Sequence, residues 1–152
     1  MTSKAETVYS ALLTKLQSVA GLGTLSGSPN VSRNLKDPSQ VANDTLPALF
    51  ICQTGEEISA TKGFEGFNAK QQLSCDLVLY VRQVKESDIP STQINEMLQN
   101  IRTALYPTAP DNSQTLNGTV SHCWISGKIE IVEGNLNGLG IAIIPVNILT
   151  NI

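Results

Sequence analysis

His122 and Cys123 are the residues whose types most readily suggest catalysis, because a histidine can activate a neighbouring thiol as a nucleophile. His122 is the one histidine among 152 residues, and Cys123 follows it directly. The stretch from Thr119 to Ile125 is typical of a strand, and successive side chains of a strand point to opposite faces. The two side chains are therefore expected to point apart, which favours ordinary structural roles for both.

Metal and disulfide chemistry are also disfavoured. A metal site needs several convergent ligands, and the chain offers one histidine. The three cysteines, Cys52, Cys75 and Cys123, fall in three separate apparent strands without C-x-x-C spacing. An odd count in this pattern argues against a disulfide framework. We expect buried free thiols, no metal and no cofactor.

Carboxylates are the remaining candidates for acid–base catalysis. Glu56, Glu57 and Glu65 share one glycine-rich segment, whereas Asp76 and Glu130 lie in two apparent strands. Catalysis by a carboxylate pair depends on the distance between the two groups, and the spacing does not fix it. Solvated side chains are the favoured interpretation.

The glycine-rich stretch from Gly21 to Gly27 has some likeness to a phosphate-binding loop. It follows a helical pattern where that motif follows a strand, it precedes no helix, and it contains no lysine. With no catalytic residue identified, we expect a protein that is not an enzyme.

The clearest structural pattern is KQQLSCDLVLYVRQV, from Lys70 to Val84. Its apolar residues fall on every second position from Leu73 to Val81, which is the period of a strand and not of a helix. Its length of roughly 40 Å would suit the central strand of an antiparallel sheet.

Two amphipathic helices are predicted beside this strand. Ser3 and Glu6 have the spacing of a capping box, and an apolar stripe follows, which predicts a helix over residues 4–20. The second is predicted over residues 89–105, with Ser87-Asp88 supplying its cap and Pro90 in its first turn.

The remaining strands are shorter and are separated by turn signals. Pro145 lacks an amide donor, so its strand should lie at an edge or be paired on one side only at that point. Gly127 predicts a bulge or a bend, and Asn137-Gly138 predicts a hairpin turn. The strands are predicted over residues 31–35, 46–53, 119–125, 128–133 and 141–150.

Together these elements predict a single domain over residues 1–152, of the α+β class. Strands that follow one another through hairpins give a mostly antiparallel sheet, and two amphipathic helices can then pack on one of its faces. We therefore expect a two-layer architecture.

Composition limits the classes of partner. The hydrophobic fraction of 41% is that of a folded protein, and the net charge is −3 without a run of Lys or Arg. A reader of nucleic acid normally carries a basic face, so specific DNA or RNA binding is disfavoured. No signal sequence and no apolar stretch of membrane-spanning length are recognised, which predicts a chain made in the cytoplasm without a membrane span.

The segment from Thr54 to Ala69 is rich in glycine and charge, and its fold is left open between a long hairpin and a mobile loop. It carries Glu56, Glu57 and Glu65 together with Phe64 and Phe67. Phenylalanines without periodic partners are typical interface anchors. We expect the segment to become ordered on a neighbouring molecule, the alternative being that the phenylalanines pack on their own domain.

The layout of nearly the whole chain resembles that of the tail terminator family of long-tailed bacteriophages. The resemblance lies in the order of six stretches and not in an invariant signature. In chain order these are ETVYSALLTKLQSV, LPALFICQ, LSCDLVLYVRQ, INEMLQNIRTAL, IEIVEGN and GIAIIPVNIL.

The resemblance implies a subunit of a hexameric ring in the virion, at the head-proximal end of the tail. Such a ring caps the tail tube protein, stops its polymerisation and offers a docking surface to the head-side connector, while genomic DNA passes through the lumen without specific binding. Another head–tail connector or tail-completion protein remains an alternative, as does a small ligand-binding α+β domain.

Overall fold

The computed structural model describes residues 2–63, 66–83, 85, 87–133 and 138–151. Within these ranges there are two α-helices and eight strands, and short 3-10 turns occupy part of the connection between residues 33 and 47. The helices are α1 (Lys4–Leu16) and α2 (Pro90–Ala104). The strands are β1 (Thr24–Leu25), β2 (Ser28–Pro29), β3 (Val31–Ser32), β4 (Ala48–Gly63), β5 (Gly66–Arg82), β6 (His122–Ile125), β7 (Glu130–Val132) and β8 (Leu139–Asn151).

Strand β5 is the centre of a six-stranded sheet with the order β3-β4-β5-β8-β6, in which β7 also pairs with β8. It pairs antiparallel with β4 on one side and with β8 on the other. Strand β3 pairs parallel with β4. The long central strand and the mostly antiparallel sheet that the sequence predicts are therefore confirmed.

The main core lies between one face of this sheet and both helices. The alternating residues of β5 from Leu73 to Val81 are at most 2% exposed and belong to one apolar cluster with the buried stripes of α1 and α2. Removing apolar surface from water stabilises such layers by about 25 cal/mol per Å². The α+β fold with two helices on one face of the sheet is confirmed.

A smaller cluster covers one end of the opposite face of the sheet, which we call the outer face. Ala48, Phe50, Tyr80 and Leu139 are buried there, and the rings of Phe50 and Tyr80 lie 5.3 Å apart. The Tyr80 hydroxyl donates a hydrogen bond to the carbonyl of Lys36 (2.9 Å). The connection between β3 and β4 is thereby fixed over this end of the outer face.

Helix α1 ends at Leu16, four residues before the predicted end. The Ser18 hydroxyl donates to the carbonyl of Lys15 (2.6 Å), and such a side-chain bond competes with continued helical pairing. Val19 still reaches the core, with 5% exposure, from the turn that follows. The apolar stripe was therefore assigned correctly to the core, and only its last turn was wrongly assigned to the helix.

The predicted capping box is half formed. Ser3 Oγ accepts a hydrogen bond from the Glu6 amide (3.1 Å) as expected, but the Glu6 carboxylate accepts two bonds from the Arg33 guanidinium, at 2.7 and 3.0 Å. A bidentate, charge-assisted pair is a stronger partner than one backbone amide. Arg33 holds the pKa of the Glu6 carboxyl below its usual value, and the pair ties α1 to the segment after β3.

The start of α2 differs from the prediction in its cap. Pro90 occupies the first turn as expected, but the N-cap residue is Ile89, whose side chain makes no capping hydrogen bond. The Asp88 carboxylate instead accepts a bond from the Lys85 amide (2.8 Å). The proline is thus the correct signal for the helix start, and the Ser87-Asp88 cap is wrong.

The pairing of the strands near the carboxyl end shows how β8 accommodates Pro145, which has no amide donor. Strand β8 is an interior strand, so the edge alternative is wrong, but Pro145 falls where β8 changes partners. Pairing with β6 begins at Val146 and pairing with β7 ends at Ile143. Gly127, with a φ of +99°, makes the bend between β6 and β7, as the sequence predicts. Asn137 of the predicted hairpin turn lies outside the described residues.

Replacing Leu77 by alanine should reduce the free energy of unfolding by about 2–5 kcal/mol, because a fully buried leucine leaves a cavity when it is truncated. Leu77 is 0% exposed. Leu35, which is 48% exposed, is the matched control, and its alanine variant should change stability by less than about 0.5 kcal/mol. Chemical denaturation of both variants measures the difference, and equal midpoints would show that β5 is not the centre of the core.

Candidate interaction surface

Strands β4 and β5 continue together beyond the end of the sheet as a two-stranded ribbon. The last partner of β5 on β8 is Asn151, opposite Lys70, whereas pairing of β4 with β5 continues from Ala60–Ala69 to Gly63–Gly66. We call residues 55–63 and 66–74 the arm. Its free part projects about 10–13 Å past β8, at roughly 3.3 Å for each residue. Of the two alternatives for this segment, the structure has the hairpin.

A β-bulge at the base of the arm determines which of its side chains lie on the helix-bearing side of the sheet and which lie on the outer face. The register of β4 shifts between Gln53 and Gly55, so the alternation along the strand is displaced by one residue. After the bulge, Glu56 pairs with Leu73 and Ile58 pairs with Gln71, which places both on the side of the sheet that carries the helices.

The structure places the proposed interface residues as follows. Glu56 and Glu57 are exposed on adjacent positions of the arm, and the Glu56 carboxylate accepts a hydrogen bond from Gln71 Nε2 (2.8 Å). Phe67 pairs through its backbone with Lys62. Phe64 and Glu65 lie outside the described residues. The arm therefore carries Glu56, Glu57 and Phe67 together, and their role in an interface stays a prediction.

Ile58 is a candidate interface residue that sequence reasoning missed. Its side chain is 56% exposed, although it is a large aliphatic residue in a strand. A run of Glu-Glu-Ile carries no signal of this exposure, because exposure depends on how far the helices extend over this face of the sheet. An exposed aliphatic residue on an edge strand is a feature of sites where another chain can bind.

Strand β4 presents an unpaired edge along the arm. Strand β3 pairs only with Leu49 and Phe50 of β4, and from Ile51 to Gly63 no other described strand lies on that side. A row of free amide and carbonyl groups is a template for pairing with a further strand. The edge is not covered within the described part of the chain.

The opposite edge of the sheet is formed by β6 and, beyond the bend at Gly127, by β7. Beside it lies a shallow groove of about 200 Å³ between β6 and the end of α2. Tyr106 stands beside this groove with 69% exposure. The lining residues are Arg102, Leu105, Tyr106, Pro107, His122, Cys123, Trp124 and Ile125.

His122 has a structural role at this edge. Its Nδ1 atom accepts a hydrogen bond from the Gln114 amide (3.0 Å), and its ring stacks on Trp124 with centroids 5.0 Å apart. Cys123 is 1% exposed and belongs to the core on the other face of the strand. The prediction that the two side chains point apart is confirmed.

Gln114 holds the loop that leads into β6. Its side-chain nitrogen donates to the Tyr106 carbonyl (2.7 Å), and its side-chain oxygen accepts from the Leu116 amide (3.1 Å). Its backbone carbonyl accepts from the Cys123 amide (2.9 Å). The amides of Thr119 and Val120 bond to the Thr115 carbonyl within the loop. β6 therefore begins at His122 and not at Thr119.

The other chemical candidates are dispersed. Asp76 pairs in register with Pro145, and Glu130 pairs with Ile143. Among the described residues no group of three or more His, Cys, Asp or Glu side chains is placed to hold a metal ion. In the same part of the chain, the helices fall short of the length and apolar character needed to cross a membrane.

The thiols divide into two environments. Cys75 and Cys123 are buried under the helices, and Cys52 is half-buried on the outer face, opposite Asp76. The expectation of buried thiols is therefore wrong for Cys52. Burial raises the pKa of the Cys123 thiol to about 12 and also raises the pKa of Cys75. For Cys52, partial burial and then the Asp76 carboxylate raise the pKa.

The fold is similar to that of a chain in a solved structure described as the virion of a native gene transfer agent (GTA) particle. The TM-score is 0.55, the sequence identity is 9%, and the likeness covers 99% of each chain. No protein-family model matches the sequence, and no curated protein matches it. At this identity the likeness shows the fold alone.

We expect one slowly reacting thiol in the native protein and three after unfolding. Only a thiolate reacts with a disulfide reagent, and Cys75 and Cys123 are both inaccessible and held in the thiol form at mildly alkaline pH. Titration with Ellman's reagent, with and without denaturant, measures the three sites. A Cys52→Ser variant should lose the native signal, and rapid native labelling that persists in this variant would contradict the assignment.

Proposed function

We propose that this protein is a structural subunit of a phage-like virion, and specifically a tail terminator that forms a six-membered ring on the tail tube. The observation that carries the proposal is the likeness over 99% of both chains to a chain of a gene transfer agent particle. The order of elements that resembles the tail terminator family supports the specific role. The ring would stop tube polymerisation and receive the head-side connector.

Two sheet edges without a complete neighbouring strand support assembly into a ring. They belong to different strands, β4 and β6, at opposite sides of the sheet. Contacts between two different surfaces of identical subunits are head-to-tail, and such contacts close into a ring when the rotation between subunits allows it. Each subunit would thus use one edge for each neighbour.

A structural role without catalysis fits the chemical groups of the chain. The His122 nitrogen that faces the loop is occupied by an amide hydrogen, and the Cys123 thiol is buried. The protein would act in the virion, at the head-proximal end of the tail, after assembly in the host cytoplasm.

The charge of the chain fits a lumen through which DNA passes without being bound. The net charge is −3, and a surface that binds nucleic acid needs clustered Lys and Arg to neutralise phosphates. Six acidic subunits would lower the affinity for the DNA backbone and leave it free to move.

The arm is the proposed interface with a neighbouring subunit or with the tube. Glu56, Glu57, Phe64, Glu65 and Phe67 are its proposed contact residues. Aromatic side chains contribute most to binding when a partner surface removes them from water. The acidic residues would set the orientation of the contact, since charges contribute more to specificity than to affinity.

Another connector or tail-completion role is a second candidate. The similar structure is that of a whole particle, and the likeness does not identify the component. A terminator and a connector differ in what they bind, so purified tail tubes and purified connector rings separate the two.

Changing both Phe64 and Phe67 to serine should abolish capping of tail tubes, while the subunit stays folded. The reason is that the two proposed aromatic anchors are lost from the interface. A Leu35→Ser variant, altered at an exposed position outside the arm, is the control and should cap normally. Negative-stain images of each variant with tube subunits, together with tube lengths, give the readout.

The parent protein should form rings with six times the subunit mass of 16.3 kDa, alone or on tubes. Uncapped tubes with the parent protein would contradict the terminator role. Normal capping by the serine variant would contradict the role of the two phenylalanines, and deletion of residues 61–67 provides an independent check.

A further inference from the structure

The geometry points to a specific contact between copies of this chain: the open edge of β4 in one subunit adds to the β6 edge of the next subunit. Ile58 then enters the groove beside β6, and Glu56 faces Arg102. This inference rests on the proposed ring and names the two surfaces that would form it.

Part of the backbone of β6 is available for such pairing. Ser126 donates a hydrogen bond to the Pro145 carbonyl of β8 (3.0 Å), and residues of an antiparallel strand alternate between bonding inward and outward. Trp124 therefore bonds toward β8, whereas Cys123 and Ile125 direct their amides and carbonyls away from it. Gln114 accepts from the Cys123 amide, which leaves the stretch around Ile125 for an incoming strand.

The side chains meet on the correct side of a shared sheet. Ile58 and Glu56 lie on the helix-bearing side of the arm, as their partners Gln71 and Leu73 show. The groove also opens toward that side, because Arg102 and Leu105 at the end of α2 form part of its wall. In a sheet that continues between two subunits, the helix layers stay on one side, so Ile58 is brought to the groove.

The chemistry of the two surfaces is complementary. The groove has an aromatic and apolar wall that includes Tyr106, and its volume of about 200 Å³ accommodates a branched aliphatic side chain. Ile58 is the exposed aliphatic residue of the arm. Burying it would remove apolar surface from water at about 25 cal/mol per Å².

The charges of Glu56 and Arg102 would set the orientation and register of the arm in the groove. Glu56 lies two residues from Ile58 on the same face, about 7 Å away along the strand. Arg102 is the basic residue in the last turn of α2 and is exposed beside the groove. With Ile58 seated, the carboxylate and the guanidinium are within reach, and opposite charges at this point favour one register over its neighbours.

The occupant is a second copy of this chain and not an unrelated protein, because both complementary surfaces are present on the same subunit. One copy offers an acidic edge with an aliphatic residue, and the other offers an edge with an apolar groove and an arginine. When two subunits pair, the first still has a free β6 edge and the second a free β4 edge. Further subunits can therefore add through the same contact until the ring closes.

A charge exchange tests the contact. Arg102→Glu and Glu56→Arg should each weaken self-association by about tenfold, because each places like charges opposite one another. The double variant restores opposite charges at every interface and should recover the association of the parent to within about threefold, which is the signature of direct coupling. Sedimentation velocity across a dilution series measures all four proteins.

An apolar substitution tests the groove independently. Ile58→Ser should reduce ring formation, whereas Ile89→Ser at the start of α2 should not. The two residues are a matched pair, with exposures of 56% and 58%, and neither change should lower the unfolding midpoint of the monomer. Denaturant melts of both variants verify that the subunits are folded.

The outcomes separate this inference from the proposed function. If the parent protein caps tubes as a ring and neither the charge exchange nor Ile58→Ser changes its assembly, the edge contact is wrong and the terminator role stands. If both single charge variants fail to assemble and the double variant also fails, the Glu56–Arg102 pairing is wrong. A parent chain that remains monomeric with tube subunits contradicts both.

Discussion

Burial of one face of β5 is the constraint on which the rest of the structure depends. Its alternating apolar residues are covered by both helices, and its two edges are occupied along the sheet by β4 and β8. A strand bounded on both edges and one face leaves each neighbour little freedom of register, because a slip by one residue would turn its buried side chains toward water. The direction of the arm is set by β5, because the arm is the continuation of β4 and β5 beyond the sheet.

The sequence predicted the elements whose cause is local and periodic. Period two in β5 and the apolar stripes of both helices were sufficient for the fold class. The errors arise where partners are distant. The partner of Glu6 is Arg33, 27 residues away. The early end of α1 is a local exception, since the Ser18 hydroxyl donates to the carbonyl of Lys15, three residues away. Strand β4 is longer than its apolar run because β5 supplies hydrogen bonds to residues with little strand preference of their own.

The candidate surface was predicted only in part. Composition identified the arm through its glutamates and phenylalanines, but it gave no sign of Ile58 or of the groove at β6. Ile58 is exposed because the apolar cluster beneath the helices ends on β5 at Leu73, two residues short of Gln71, the partner of Ile58. The groove requires α2 and β6, which are separate in sequence, to end near each other. Both features belong to tertiary arrangement, which a single sequence does not show.

The position of β8 has a consequence for synthesis of the chain. It lies in the sheet between β5 and β6, although it is the last strand to leave the ribosome among those described. Until Leu139–Asn151 emerges, β5 has a vacant edge and the helices have an incomplete surface to pack on. Contacts between residues so far apart are slow to form, so the nascent chain carries an open strand that a chaperone must shield or that folding must close quickly. The sheet is therefore completed only after Leu139–Asn151 has been synthesised.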